Sequence, residues 1–257
     1  MVDLLLGRSY ESLEELATQA VARSPISDAT DVLADVVVCP AGGSGDDYEY
    51  LPRLNRAYSP YATDDGPVWF EHRVVAALDA VRAAVSPDVT LIDNRSGLHD
   101  LSAVAVTQYC ELALLFALDK PQTWAGYRSL FNWWAAYPNV AREVRERLKV
   151  VAALVPPRGA DAYLESFIEH AYDTFRIIYD DLASDGSVAA GIDNDGYHPI
   201  TPSLDTPHHP ILIPHLDLLT DFDPLSNDEW IADAVVDAVV GDLTESVLQL
   251  LEPDVSG

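Results

Sequence analysis

The sequence predicts an α/β fold in which a mainly parallel sheet is covered by helices on both faces. Short apolar runs predict buried strands at residues 35–39, 89–93, 112–118, 147–155 and 211–213. Apolar residues recur at helical spacing in residues 12–23, 68–85, 123–136 and 160–182. Strands that alternate with helices are typical of parallel sheets, because each crossover helix returns the chain to the same end of the sheet.

Capping residues predict where two of the helices begin. Ser12 and Glu15 form a capping-box pattern, and the apolar residues that follow lie on one face of a helix that ends near Arg23. Ser226 and Glu229 repeat the pattern ahead of a C-terminal helix. The chain is therefore expected to begin with a helix, not a strand.

We predict a single α/β domain over residues 1–257, since the sequence contains no internal repeat and no convincing linker. Residues 184–210 are rich in Gly, Asp, Asn and Pro and show little periodicity, which predicts a surface loop or an insertion. The run at 112–118 would also suit a buried helix, and this alternative stays open.

The charge of the chain is strongly acidic. The 42 acidic and 15 basic residues give a net charge of −27, spread over the whole sequence. Because nucleic acid is a polyanion, direct binding to it is not expected. Adaptation to high salt explains such a surface, and recruitment of a basic partner is the competing explanation. The sequence shows no targeting segment and no membrane-spanning run, so we expect a cytoplasmic protein without membrane contact.

Asp93 is the main candidate functional residue. It ends the predicted strand 89–93, and ligands of open parallel sheets bind at the carboxyl ends of strands. A carboxylate there would suit Mg²⁺ or catalysis, but it would equally suit a cap of the next turn. Arg95 would suit phosphate, or would pair with a carboxylate.

A phosphate-binding loop is not found in the sequence. Residues 41–45 read AGGSG, but two aspartates follow them where a Walker loop needs Lys and then Ser or Thr. Neither Lys120 nor Lys149 follows a glycine. His208, His209 and His215 suggest a metal site near Asp217, yet solvated or hydrogen-bonded imidazoles in a loop are the simpler interpretation.

Residues 91–100 read LIDNRSGLHD and resemble the LIDSRTG(L/F)(S/T)D signature of ParA/MinD-like ATPases, in particular the group whose phosphate loop reads KGGVGR. Other segments resemble the same family in the same order. Residues 1–7 resemble the stretch after its second strand, 39–42 its LPAG segment, 114–126 its LLFTPNxQxxxG segment, and 207–224 its C-terminal APHxPLPIP…FDP region.

The resemblance implies roles for individual residues. Asp93 would be the Walker-B-like carboxylate that acts on Mg²⁺ or its water shell, and Asn94, Arg95 and Gly97 would form the adjacent switch turn. Residues from Pro156 to Arg158 would lie near the nucleotide base. Asn94 and Ser96 replace the usual Ser and Thr, which weakens the assignment of individual switch contacts.

The resemblance also implies an incomplete P-loop NTPase fold. The family carries a first strand, a phosphate loop and a second strand that have no counterpart in residues 1–257. The first strand is central to such sheets, so its neighbours are expected to have unpaired edges. We therefore expect a remnant or partial ATPase chain without autonomous hydrolysis, which binds Mg-ATP only if a complementary phosphate-loop segment is supplied.

The partners implied are a second copy of the chain or a complementary protein that carries the phosphate loop. Two other functions remain open from the sequence. One is a complete, non-enzymatic acidic interaction protein adapted to high salt, and the other is a Mg²⁺-dependent hydrolase that uses Asp93.

Overall fold

The computed structural model describes residues 1–6, 12–28, 34–43, 49–63, 66–94, 104–181, 196–199, 202–217, 223, 225 and 233–251. The chain forms two compact units, Met1–Tyr109 with Pro224–Asp228 and Cys110–Asp223 with Glu229–Gly257. The coarse α/β class is confirmed. The single domain over residues 1–257 stays a prediction.

The first unit is mainly helical. Its α-helices are α1 (Val2–Leu6), α2 (Leu13–Ala20), α3 (Tyr50–Tyr58) and α4 (Phe70–Val85), and a 3₁₀ turn covers Pro25–Asp28. Its strands are short and antiparallel: β1 (Ala22–Arg23) pairs with β2 (Val37–Val38), and β3 (Tyr61–Thr63) pairs with β4 (Gly66–Val68). A π-helical turn, Ala105–Tyr109, ends this part of the chain.

The predicted capping box of α2 is confirmed. The Ser12 hydroxyl accepts a hydrogen bond from the Glu15 amide at 3.1 Å, and the Ser12 amide donates to Glu15 Oε2 at 3.1 Å. Two of the amides at the helix start are satisfied in this way. The second capping box, at Ser226 and Glu229, lies outside the described residues.

Helix α4 forms the centre of the first core. Its buried residues Val74 and Ala77 pack in one cluster with Leu16 and Ala17 of α2 and with residues of α1. The helix begins at Phe70, two residues later than predicted, and ends at Val85 as predicted. It ends where Ser86 adopts a left-handed conformation, with φ 51°.

Two predicted buried strands of the first unit are wrong. At 35–39 only Val37–Val38 forms a strand, and Val38 is 47% exposed. Residues 89–93 form no strand, and Leu91 is 88% exposed. Apolar, β-branched composition favours an extended chain, but a strand also needs a hydrogen-bonded neighbour. Among the described residues, segment 89–93 has no such neighbour.

The second unit contains a parallel sheet. Strands β5 (Ala113–Ala117), β6 (Leu148–Val155) and β7 (Ile211–Pro214) run parallel in the order β5, β6, β7. The helices are α5 (Pro121–Ala135), α6 (Pro138–Arg145), α7 (Ala160–Phe175) and α8 (Asp233–Leu251). The predicted strands at 112–118, 147–155 and 211–213 are confirmed, which resolves the helix alternative at 112–118 in favour of a strand. The helix predicted over 160–182 is shorter.

Aromatic side chains fill the core between α5 and α7. Trp124, Phe131 and Trp134 of α5 and Phe167 and Phe175 of α7 are at most 2% exposed. Phe131 meets Phe175 edge to face, with ring centroids 4.9 Å apart, and Trp124 meets Phe167 in the same way at 5.0 Å. Such contacts stabilise beyond the burial of area alone.

Residues 202–209 are held against β6 by a buried lysine. Lys149 is 1% exposed, and its ammonium donates hydrogen bonds to the carbonyls of Leu204 and Thr206, the latter at 2.9 Å. Burial lowers the pKa of Lys149 to about 8, although the charge of Asp205 opposes this shift. Residues 202–209 of the predicted loop 184–210 are thus packed against the sheet.

Candidate functional site

Asp93 and Asn94 lie in an extended segment of the first unit, after α4. Asp93 is exposed, and its carboxylate has no hydrogen-bond or ion-pair partner among the described residues. Asn94 is partly buried, and its Oδ1 is inaccessible to water and lacks a donor. The segment therefore offers one free carboxylate and one unsatisfied amide oxygen. Asp93 was predicted to lie at the end of a strand, but residues 89–93 form no strand.

Pro156 and Arg158 follow the carboxyl end of β6 in the second unit, as predicted. Leu154, just before them, has φ 57°, and the pairing of β6 with β7 shifts register between Ala152 and Val155. A leucine in the left-handed region costs roughly 1–3 kcal/mol, so the surrounding fold must hold this bend. Arg158 is exposed.

The structure brings Asp93 and Asn94 together in one unit and Pro156 and Arg158 together in the other. Arg95 and Gly97 lie outside the described residues. Within the described ranges, no three His, Cys, Asp or Glu side chains converge to hold a metal ion. One exposed carboxylate without a phosphate loop does not fit Mg-ATP alone, because Mg²⁺ in such sites is bound through carboxylates and substrate phosphates together.

Strand β5 lies at an edge of the parallel sheet, where it pairs with β6 only among the described residues. The Ala113 amide donates to the Arg147 carbonyl of the neighbouring loop at 2.8 Å. Since polar backbone groups alternate in direction along a strand, the amides of Leu114 and Phe116 point to the open edge. Phe116 is 52% exposed. This edge is able to accept another strand.

A tyrosine covers part of the open edge. The Tyr127 hydroxyl, from α5, donates to the Phe116 carbonyl at 2.7 Å. Burial raises the pKa of Tyr127 to about 12, so the hydroxyl remains a donor at neutral pH. One outward carbonyl is thereby satisfied, while the outward amides of Leu114 and Phe116 have no acceptor among the described residues.

The sequence analysis missed a polar cluster centred on Asp119, just past the carboxyl end of β5. Asp119 Oδ1 accepts from the Trp124 indole at 2.7 Å and contacts His170 Nδ1 at 2.8 Å, and Oδ2 accepts from the Ser166 hydroxyl at 2.7 Å. The Asp119 amide donates to the Tyr163 hydroxyl at 3.0 Å. In the sequence, the only sign of this cluster is that Asp119 follows a predicted strand and lies shortly before a proline.

The electrostatics of Asp119 follow from these contacts. Burial alone would raise its pKa, but the hydrogen bonds from Ser166, Trp124 and His170 together lower it below the ordinary value. Asp119 side-chain exposure is 11%, while that of His170 is 48%. The carboxylate therefore stays ionised and ties α5 and α7 to the end of β5.

No described helix combines the length and the hydropathy required to cross a bilayer. Comparison of the chain with protein-family models, curated proteins and solved structures returned no match in any of the three.

Proposed function

We propose that this chain is most of a ParA/MinD-like ATPase domain that does not hydrolyse ATP alone and that acts through protein contact. The strand and phosphate loop would come from outside these 257 residues, either from the same polypeptide or from another one. The observation that carries this proposal is the edge of β5, which no second strand pairs with among the described residues of the parallel sheet. The resemblance implies an unpaired edge where the first strand of the family is missing.

The polar groups of β5 support this proposal. The outward amides of Leu114 and Phe116 are arranged to pair with an added strand, and the exposed Phe116 ring offers apolar contact beside them. Strand addition satisfies backbone groups without any need for basic side chains, so it is compatible with a net charge of −27.

The nucleotide part of the proposal depends on Asp93 and on a phosphate loop that these residues lack. Without the loop, the sequence lacks the GxxxxGK arrangement whose backbone amides and lysine bind the terminal phosphates. We therefore expect no binding of Mg-ATP by the isolated chain. With a strand–loop–helix segment that carries KGGVGR fused ahead of residue 1, we expect micromolar binding.

The test is calorimetric titration with Mg-ATP at molar salt. Four proteins are compared: the chain alone, the fusion, the fusion with Asp93→Ala, and the fusion with Asp88→Ala as a matched control. Asp88 is another exposed carboxylate of the same segment. Binding by the fusion that Asp93→Ala abolishes and Asp88→Ala spares would support the proposal.

Two results would contradict it. Binding by the chain alone would mean that another part of it holds phosphate. A stable fusion that binds no nucleotide would favour the alternative, a complete acidic interaction protein without nucleotide function.

A further inference from the structure

Arg73 is a buried cation without an ionic partner among the residues that the structure describes. It is 6% exposed, and it forms no ion pair with any described residue. Its Nη1 donates to the Leu5 carbonyl at 2.8 Å, and its Nη2 donates to the carbonyls of Ala57 and Ser59. Its Nε is inaccessible to water and has no acceptor. Buried charges are normally paired, so this guanidinium is incompletely compensated.

Few groups around Arg73 stabilise its positive charge. Burial lowers the pKa of Arg73, and only Tyr61 and Glu71 act in the opposite direction. The Tyr61 ring centre lies 5.2 Å from Arg73 Cζ, a cation–π contact that stabilises the charge in part. Arginine remains protonated under such conditions, so an anion is the natural complement.

Arg73 also lines a cleft of the first unit with a volume of about 210 Å³. Most of the lining is apolar and comes from α1, α2, β4 and α4: Leu4, Leu5, Leu13, Leu16, Val68 and Ala76. Tyr61 and His72 are the other polar residues of the lining. Among the described residues, no carboxylate contributes to it, although the chain as a whole is rich in them.

We propose that this cleft binds a small carboxylate with a hydrocarbon tail, whose carboxylate faces Arg73 and whose tail packs on the leucines. Apolar pockets with a few convergent polar groups are typical ligand sites. Leu5 uses one of the two Nη1 protons of Arg73, so the other Nη1 proton is the donor assigned to the carboxylate. The volume suits a molecule of metabolite size. The net charge of −27 repels anions in general, so selective binding of one would have to come from this local site.

The probe is hexanoate, titrated at constant molar KCl and followed by amide chemical shifts. Hexanamide has nearly the same shape without the charge. Because a hydrogen bond to a charged group is worth roughly 1.5–3 kcal/mol, hexanamide should bind about tenfold more weakly or worse. Shifts are expected in α2 and α4 and should saturate.

Two pairs of variants separate binding from folding. Ala76→Met fills the exposed side of the cleft and leaves Arg73 in place, and Ala83→Met is the matched change at an exposed site of the same helix. Alanine and methionine have similar helix propensities, so both variants should fold. Arg73→Gln removes the cation, and Arg82→Gln removes an exposed one from α4.

If hexanoate binds in this cleft, we expect Ala76→Met to weaken its binding at least about tenfold and Ala83→Met and Arg82→Gln to leave it unchanged. If Arg73→Gln does not fold, the comparison of Ala76→Met with Ala83→Met tests the proposal. Absence of saturable binding, equal binding of hexanamide, or equal effects of the two Met variants would each overturn the proposal.

Discussion

Lys149→Met is predicted to make stability less dependent on pH between 7 and 10. Burial lowers the pKa of Lys149 from 10.5 to about 8. The unfolded chain therefore holds the proton more tightly than the folded chain in this range, and the folded state gains relative stability as the pH rises through 8. Between pH 7 and pH 10 the gain from this one group is about 2.5 kcal/mol.

The substitution also leaves the carbonyls of Leu204 and Thr206 without their donor. Each buried unsatisfied acceptor costs roughly 1–3 kcal/mol, but this cost does not depend on pH. The difference in unfolding free energy between the native chain and Lys149→Met should therefore grow by about 2.5 kcal/mol over the range. Other titrating groups cancel in this difference.

The assay is urea denaturation of both proteins at pH 7, 8, 9 and 10 and at constant molar salt. Lys120→Met is the matched control, because Lys120 is the other lysine of the chain and is exposed. Lys120→Met controls for the loss of a lysine side chain at an exposed position. A flat difference for Lys149→Met would refute the conclusion that the ammonium is buried in the fold.

Three further changes test the packing and the Asp119 cluster. Ser12→Ala should lower the unfolding free energy by about 1 kcal/mol, measured by urea denaturation, because the capping box is lost; no change would contradict the cap. Phe131→Ala should cost about 3–5 kcal/mol in the same assay, whereas Trp133→Ala, at a 51% exposed position of the same helix, should cost far less. Asp119 has a lowered pKa, so its contribution is present at neutral pH and lost as the pH falls through its folded pKa. Asp119→Asn should therefore have a lower unfolding free energy than the native chain at neutral pH, and this free energy should depend less on pH below 4. Unfolding free energies of the two proteins that fall in parallel below pH 4 would argue against the cluster.

The parallel sheet was the part of the fold most readily predicted. Strand β6 is buried along most of its length, so its sequence shows an uninterrupted apolar run that marks it directly. Segments 35–39 and 89–93 have similar composition but lack such a sheet around them in the structure. Composition reports β preference, whereas pairing depends on residues far away in sequence.

Helix α6 was not predicted because its sequence is short and polar. Its buried Arg145 is stabilised by Asp180, at 3.0 Å, and by the Tyr197 ring, 4.8 Å from the guanidinium carbon. Neither partner is near Arg145 in sequence. An arginine on a polar helix is therefore uninformative until its tertiary contacts are known.

The candidate sites show the same limit. Pro156 and Arg158 were singled out by the family resemblance, and only their place after β6 follows from the apolar run that marks this strand. The Asp119 cluster joins residues 51 positions apart, and the Arg73 contacts reach 68 positions along the chain. No local spacing encodes these contacts, so sequence patterns could not reveal them.

The most direct test of the central claim is amide hydrogen exchange along β5 in the isolated chain and in the KGGVGR fusion. The amides of Leu114 and Phe116 are expected to exchange fast in the isolated chain, while those of Leu115 and Ala117, which face β6, should exchange slowly. In the fusion, Leu114 and Phe116 should become protected. Unchanged fast exchange at these two amides in a folded fusion would contradict the claim that this edge receives the missing strand.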